Sequence, residues 1–506
     1  MSLRRPRHPL RALATVVALV MTSAAVRAET LTEALVSAYQ TNPTLAAARA
    51  NLRVTDETLA QALALFRPSV LLTATGGIAT LNTQSTPGAD TTPISSNAQI
   101  VLPLFPLSGF AALETADARI AESRATLAAT EQQVLLAVVE VYLNVRRDME
   151  LVAVTAAIES LLAKELTDSR IRLREGDLSE TDIALVEARL AQVQADGVLA
   201  RQNLRRSHAA YVAVVGHPAI DLQPTPAPPS LPQTLDAAER AAMAANPQVL
   251  RAKSAEAVAN AAIGDAEAGL YPALDLVAGG RRDEDTSFEG SELEQYSLQL
   301  QLRVPLYEGG GTRSRIRQAR ELLNQRRAET MIAERDIMRQ VAEAFDAMTA
   351  TRDAAIYTAA SVTAADKALS GVKQEALLGY RTTIDLLQAE QNFLEAQRRS
   401  VVAARDERFA GWRLLATVGG FTPRETALPV TPYDGKAHAE AVRDAYLSTD
   451  PIPSPEVMPV PTSTAPPPVP TVPDPAPADA RADADILEDI FDLGGDDLDV
   501  DYDYPD

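Results

Sequence analysis

The sequence contains no cysteine among its 506 residues. This absence excludes disulfide bonds, thiolate metal sites, cysteine nucleophiles and a lipid-modified N-terminal cysteine. Aromatic residues are also scarce, at 4%, and Trp412 is the single tryptophan. An ordinary globular core in a chain of this length holds more aromatic bulk. Alanine, leucine, glutamate, glutamine and arginine dominate instead, and that composition is typical of long helices.

Signals for catalysis and cofactor binding are missing as well. The histidines are scattered and lack the clustered spacing that metal ligands need: they are His8, His208, His217 and His438. No nucleophile elbow, phosphate-binding loop or dinucleotide-binding glycine pattern occurs. We therefore predict no enzyme activity, no cofactor and no metal. The formal net charge of −21 argues against nucleic-acid binding, which requires basic patches.

The N-terminus has the features of a secretory signal peptide, which we predict to span Met1–Ala28. Four arginines accompany a mostly apolar stretch, Ala12–Ala25, that is too short to cross a bilayer. Small residues just after this stretch predict cleavage before Glu29, and an uncleaved anchor is the alternative. No later apolar run approaches the roughly 18 residues of a transmembrane helix.

The body of the chain is duplicated. The dipeptide Asn42-Pro43 recurs as Asn246-Pro247, and Gly216 recurs as Gly419. Further pairs keep nearly the same spacing, in order along the chain: Leu31 and Leu235, Pro68 and Pro272, Pro103 and Pro305, Gly109 and Gly311, Gly176 and Gly379, Asp182 and Asp385, Glu187 and Glu390. Such an ordered set indicates a tandem repeat. We predict a first repeat over 29–220 and a second over 221–425.

Each repeat follows the same plan: a first helix, two strands, then two long helices separated by a glycine turn. Proline is absent from 107–217 and from 306–422, which permits long helices because proline breaks helix interiors. A helix from Gly109 to about Arg174 would be roughly 100 Å long, as in antiparallel hairpins and coiled coils. The first helices are expected at about Leu31–Leu65 and Leu235–Leu270.

Alternation of apolar and polar residues predicts half-buried strands. The clearest segment is Gln295–Val304, in which Tyr296 and every second residue after it are apolar. Asn97–Leu104 alternates similarly, and the partner segments Ser69–Thr80 and Ala273–Arg281 alternate more weakly. Ordinary edge hairpins on a soluble sheet are the alternative interpretation.

The composition changes from Thr426 onward. Twelve prolines occur within 451–477, and 481–506 contains eleven acidic residues and one arginine. We predict a proline-rich linker and a disordered acidic tail over 426–506. Whether the tail binds a partner stays open.

The strands are the candidates for crossing a membrane. The helices carry charges along much of their length, and a lipid-exposed span must satisfy its backbone in a helix or a closed barrel. Gln295–Val304 matches the roughly 9–11 alternating residues of a spanning strand. Four strands are too few to close a barrel, since the smallest have about eight. The predicted fold class is therefore mainly α with a small β part: long antiparallel helical hairpins, with four strands per subunit that several chains pool in one transmembrane β-barrel.

Three segments together resemble the outer-membrane efflux, or TolC-like, protein family. They are Leu31–Leu35 (LTEAL) with Asn42-Pro43, Arg303–Gly311 (RVPLYEGGG) and Gly379–Ala389 (GYRTTIDLLQA). The resemblance covers about Leu31–Thr422, and Arg303–Gln318 is most similar to the branch that serves type I protein secretion.

This resemblance implies a homotrimer in the outer membrane with a twelve-strand β-barrel. The barrel would continue into a twelve-helix α-barrel that extends through the periplasm. Its inner end would dock onto a periplasmic membrane-fusion adaptor and an inner-membrane transporter, either ABC-type or proton-driven. The outer part would contact outer-membrane lipid, and no cofactor is implied because the transporter supplies the energy.

The resemblance also assigns roles near the glycine turns. It implies that the turns are helix-hairpin tips that touch the adaptor, formed by Gly176, Asp177 and Leu178 and by Gly379, Tyr380 and Arg381. Glycine suits such a reversal because it tolerates positive φ.

A constriction and a latch are implied beside the tips. Asp385 matches an aspartate that lines the narrowest part of the tunnel, where three copies would form a carboxylate ring. Gln388 replaces the family's second aspartate. Arg381 matches a latch arginine, with Thr181 and Asp182 as its partners on the neighbouring hairpin, and Ala376 replaces the latch tyrosine. The alternative is that these residues are ordinary polar faces and helix caps.

Two rival functions stay open. Drug efflux would use the same kind of duct as protein export, and the channel interior says little about the cargo. A periplasmic coiled-coil adaptor or scaffold would also have long hairpins, but it would lack two alternating hairpins a fixed distance apart.

Overall fold

The computed structural model describes residues 28–81, 88–176, 178–229, 231–445 and 448–449. The predicted signal peptide up to Arg27, the tip residue Asp177 and the predicted tail from 450 onward lie outside this range. The elements in chain order are α1 (Leu31–Thr41), α2 (Pro43–Ala64), β1 (Ser69–Gly76), β2 (Ala79–Leu81), β3 (Ala89–Thr91), β4 (Ile94–Pro103), α3 (Leu107–Glu175), α4 (Glu180–Val215), α5 (Leu235–Ala245), α6 (Pro247–Ala268), β5 (Ala273–Glu284), β6 (Glu292–Arg303), α7 (Gly311–Leu377), α8 (Thr383–Thr417) and α9 (Ala437–Asp444).

The predicted first helix of each repeat is two helices, so the expectation of one continuous helix was wrong. The break lies at Asn42 and Asn246, whose extended backbones precede Pro43 and Pro247. A residue before proline is driven out of the α region, while proline itself suits the first helical position. Each asparagine then caps the second helix, because its Oδ1 accepts a backbone N–H two residues on.

The same asparagines fasten each repeat to its return helix. Asn42 Nδ2 donates to the carbonyl of Val214 at 2.9 Å, and Asn246 Nδ2 donates to that of Thr417 at 2.8 Å. The return helices α4 and α8 therefore end at equivalent points in the two repeats. Gly419 follows α8 with a φ of 84° and lies against the backbone of Ala245.

The long helices confirm the predicted hairpins. Helix α3 has 69 residues and α7 has 67, which gives each a length of roughly 100 Å. The return helices α4 and α8 pack against them. Within the described residues, no helix combines the length and the apolar character needed to cross a membrane.

The strands form one antiparallel sheet in the order β1-β4-β5-β6, with β2 and β3 in a separate pair. Strands β4 and β5 join the two repeats, since β4 belongs to the first and β5 to the second. One row across the sheet aligns Val70, Ile100, Ala278 and Leu298. The adjacent row on the opposite face holds Leu71, Gln99, Gly279 and Ser297. One face is thus largely apolar and the other more polar.

The principal core lies where α1 and the start of α2 meet the middle of α3 and the last turns of α4 and α8. Tyr142, Tyr211 and Phe421 are completely buried there. The Tyr142 hydroxyl lies 2.8 Å from the carbonyl oxygens of both Glu29 and Gln223. These contacts hold the start of the described chain against the connection between the two repeats.

The segment from 426 to 445 corrects the predicted linker boundary. Leu428 is buried in the principal core, and α9 packs on α2 with Val442 buried. The Tyr433 backbone N–H donates to the hydroxyl of Tyr39 at 3.1 Å. The segment folds back because it carries apolar side chains at the positions that face α2 and the core, which the change in composition alone did not reveal.

Candidate gate and docking site at the hairpin tips

The first tip is a glycine turn followed by a capped helix. Gly176 ends α3 with a φ of 86°, a backbone conformation that glycine adopts without a steric penalty. Ser179 then caps α4, and the Asp182 carboxylate accepts hydrogen bonds from the Ser179 hydroxyl and backbone N–H at 2.7 and 3.1 Å. These bonds hold the pKa of Asp182 below its ordinary value.

The second tip repeats this arrangement. Gly379 has a φ of 81°, and Thr382 caps α8. The Asp385 Oδ2 atom accepts from the Thr382 hydroxyl at 2.8 Å and from its backbone N–H at 3.1 Å. Bonds to the Thr382 backbone and side chain lower the pKa of Asp385, so the carboxylate is charged at neutral pH. Among the described residues, no donor bonds to its other oxygen, Oδ1.

The two tips contact one another within one chain. The Thr383 side chain at the start of α8 lies near Asp182 of α4 and contributes to the lowered pKa of that carboxyl. Nearby, Leu387 of α8 packs against the buried cluster of Leu166, Ile183 and Val186. The structure therefore brings Asp182 and Asp385 to the same end of the two hairpins.

The other predicted latch residues are placed as follows. Arg381 forms an ion pair with Glu375, with 2.8 Å between Nε and Oε2. Within the described part of the chain it does not bond to Thr181 or Asp182. Thr181 is exposed, and Gln388 donates to Asn392 one turn further along α8 at 3.1 Å.

The predicted docking residues form the outer surface of the tips. Gly176 and Gly379 are exposed, and a Cβ atom built on either glycine would meet nothing. Tyr380 projects from the second tip with 80% of its surface exposed. Leu178 is only half-buried beside the first. The second turn therefore presents an exposed aromatic side chain, and the first turn presents a glycine and a half-buried leucine.

One residue near the tips was not predicted as part of the site. Glu390 is the repeat counterpart of Glu187, yet only 2% of its surface is exposed. Neither carboxylate oxygen accepts a hydrogen bond, and the nearest cation is Lys373, with 3.8 Å between Nζ and Oε1. Burial raises the pKa of Glu390. The sequence pairs Glu390 with Glu187 but gives no signal that one of them is buried.

The described residues contain no group of three or more histidine, aspartate or glutamate side chains placed to hold a metal ion. The tips instead offer charged and apolar surfaces at the end of long hairpins, and the far end carries a sheet with an apolar face. This combination is the one expected of an outer-membrane channel. The comparisons with known proteins lead to the same class.

The chain belongs to the outer membrane efflux protein family, since the family model of that description matches residues 34–217 and 240–420. The outer membrane efflux protein BepC of Brucella suis biovar 1 is 29% identical over 433 residues, which cover 84% of this chain and 93% of BepC. The alkaline protease secretion protein AprF of Pseudomonas aeruginosa is 23% identical over 327 residues, 63% of this chain and 68% of AprF.

A solved structure shows the same fold. The CmeC outer membrane channel of Campylobacter jejuni superposes with a TM-score of 0.68 at 13% identity, over 82% of this chain and 89% of that chain. This likeness confirms the predicted TolC-like fold. Membership of the outer membrane efflux protein family confirms the predicted outer-membrane location. Channels of this family work in tripartite systems with an adaptor and an inner-membrane transporter.

Proposed function

We propose that three copies of this chain form one exit duct for type I protein secretion, with the hairpin tips at its gated periplasmic mouth. The observation that carries the proposal is the sheet. Its outer strands β1 and β6 each have one edge that pairs with no strand of the described chain. An unpaired edge is costly in lipid, and four strands are too few for a barrel. Neighbouring copies would pair with the open edges and would supply the strands that a barrel needs.

The surface of the sheet supports a position in lipid. Tyr296 and Leu298 on β6 are 83% and 72% exposed, and Val70 and Leu72 on β1 are similarly exposed. Water would disfavour such a continuous apolar face. Aromatic side chains are exposed at three of the junctions between strand and helix, where membrane barrels carry aromatic girdles: Phe105, Tyr271 and Tyr307.

Type I secretion is supported by the relatives and by one motif. AprF is named an alkaline protease secretion protein, and PrtF of Dickeya chrysanthemi is named a proteases secretion protein. The segment Arg303–Gln318 resembles the same branch. The proposed partners are accordingly a membrane-fusion adaptor at the tips and an ABC transporter in the inner membrane.

Drug efflux is the second candidate, because BepC is named an efflux protein. The two candidates differ in the transporter beneath the tips. A photo-crosslinking residue in place of exposed Tyr380 would capture the docked partner in cells. Capture of an adaptor together with an ABC transporter supports secretion, and capture with a proton-driven pump supports efflux.

Asp385→Ala tests the gate within this proposal. Purified trimers in a planar bilayer should conduct ions, and divalent cations should block the current at the carboxylate ring. Because Asp385 is charged at neutral pH, its loss should raise the blocking concentration about tenfold, which corresponds to about 1.4 kcal/mol. Single-channel recording measures this.

The matched control is Glu395→Ala, which removes an exposed carboxylate ten residues further along α8. Divalent cations should block the current of this variant at the same concentration as in the unmodified protein. An unchanged block in Asp385→Ala would remove Asp385 from the constriction, and a folded trimer that never conducts would refute the channel.

A further inference from the structure

Glu390 lies in the apolar seam that joins the two hairpins of one subunit. It is two turns along α8, roughly 10 Å from the first residue of that helix. Leu387 and Leu394 lie three residues before it and four after it, on the same helix face. Both pack against the first hairpin, Leu387 near Val186 and Leu394 beside Val193. A carboxylate therefore occupies a position whose neighbours three and four residues away along α8 are apolar.

The equivalent carboxylate of the first hairpin has a different environment. Glu187 is exposed and binds Arg170 with 2.6 Å between Oε1 and Nη2. The corresponding pair in the second hairpin, Glu390 and Lys373, is separated by 3.8 Å, and Glu390 is buried. A buried charge without hydrogen bonds is strongly destabilising. The exposed ion pair of the first repeat is thus replaced in the second repeat by a buried acid that is incompletely paired.

Charged groups from each packed helix face Glu390. Lys373 comes from α7, Glu165 from α3 and Arg189 from α4. The lysine and the arginine favour the ionised carboxylate, whereas burial and Glu165 oppose it, with burial the largest influence. Separation of the hairpins would give the carboxylate water, so packing and protonation are coupled at this position.

We propose that Glu390 is a proton-dependent latch, which in its neutral form holds the second hairpin against the first and in its ionised form loosens the seam. The proposal rests on the proposed function only for its consequence, the opening of the periplasmic mouth. The direction follows from linkage. Burial raises the pKa of Glu390 in the packed state, and exposure to water returns it to the ordinary value. Packing is therefore favoured at low pH and weakened as the pH rises through the raised pKa.

A single engineered cysteine can report on the seam, because the natural chain has none. Val186→Cys places a thiol of similar size at a completely buried position opposite α8. Its labelling rate by a methanethiosulfonate is divided at each pH by the rate for the same Val186→Cys thiol in the Glu390→Gln background, which corrects for the ionisation of the thiol itself; exposed Tyr380→Cys gives the rate of an accessible thiol. The ratio should rise with pH, by up to tenfold for each unit of pKa difference between the packed and separated states.

In Glu390→Met the ratio should stay flat across this range, because methionine, like the glutamine of the reference, does not ionise. Glu187→Gln is the matched control and should keep the rise. A flat ratio in the protein that keeps Glu390, or a rise that survives in Glu390→Met, would overturn the latch. Bilayer conductance is recorded in parallel. If the trimer shows the expected pH-dependent labelling but never conducts, the proposed channel is refuted and the latch is retained. If the trimer conducts but the Glu390 variants label like the unmodified protein, the latch is refuted and the channel is retained.

Discussion

At the scale of single residues, Asp385 has one role that the structure shows and a second that only the family resemblance predicts. The spacing Thr382-x-x-Asp385 is that of a helix capping box, and the structure shows this cap. The family resemblance places the same aspartate in a constriction. The roles are compatible, because the cap uses Oδ2 and leaves Oδ1 available to cations. The capping hypothesis for these residues is therefore correct, while the constriction stays a prediction.

Gly419→Ala should destabilise the body strongly. The φ of 84° alone costs an L-residue about 1–2 kcal/mol. The new Cβ would also lie 2.5 Å from the carbonyl carbon and oxygen of Ala245, where the backbone cannot give way. We expect a markedly lower melting temperature, measured by circular dichroism at the helical band.

Gly176→Ala is the matched control for that substitution. Its φ of 86° imposes similar strain, but nothing lies near the new Cβ. The fall in melting temperature should therefore be much smaller. Equal effects in the two variants would show that the close approach to Ala245 is unimportant.

At the scale of elements, residues 426–445 follow the second repeat and lie across the first repeat as a strap. The Nδ1 atom of His438 in α9 lies 3.1 Å from Oδ2 of Asp56 in α2, which is completely buried. Arg67, just before β1, donates to the carbonyl of Arg443 at 2.9 Å. These contacts connect the end of the folded body to the helix that leads into the sheet. The strap therefore stabilises the point where the hairpins meet the strands.

A truncation that removes the strap and one that begins after it should differ in thermal stability. Removal of 426–506 exposes the surfaces that bury Leu428 and Val442, each worth about 1.5–3 kcal/mol, and should lower the melting temperature. Removal of 450–506 leaves those contacts in place and should not. Thermal melts of both variants measure the difference. Equal stability of the two would contradict the structural role of 426–445.

The sequence predicts some elements much better than others. Absence of proline predicts α3 and α7, and strict alternation predicts β6, because both signals are local. The strap was missed because its composition resembles that of a linker. The burial of Glu390 could not be predicted either, since it depends on how two hairpins pack and not on the residues beside it.

At the scale of the whole molecule, the proposed channel requires neighbouring copies to close the sheet. Four antiparallel strands leave β1 and β6 at opposite edges, running in opposite directions. Strand β6 of one copy can therefore pair antiparallel with β1 of the next, and the same contact repeats around an axis. Closure at three copies gives twelve strands, within the range of membrane barrels.

Disulfide crosslinking between these two edges tests the claim most directly. Leu298→Cys on β6 is combined in turn with Val70→Cys, Leu72→Cys or Ala74→Cys on β1, all on the apolar face. Cysteines at Ile100 and Ala278, paired within one chain, are the control and should leave the mass unchanged. For at least one combination, oxidation in membranes should give a covalent ladder that ends at three chains. A ladder that continues beyond three, or only monomers in every combination, would contradict the shared barrel.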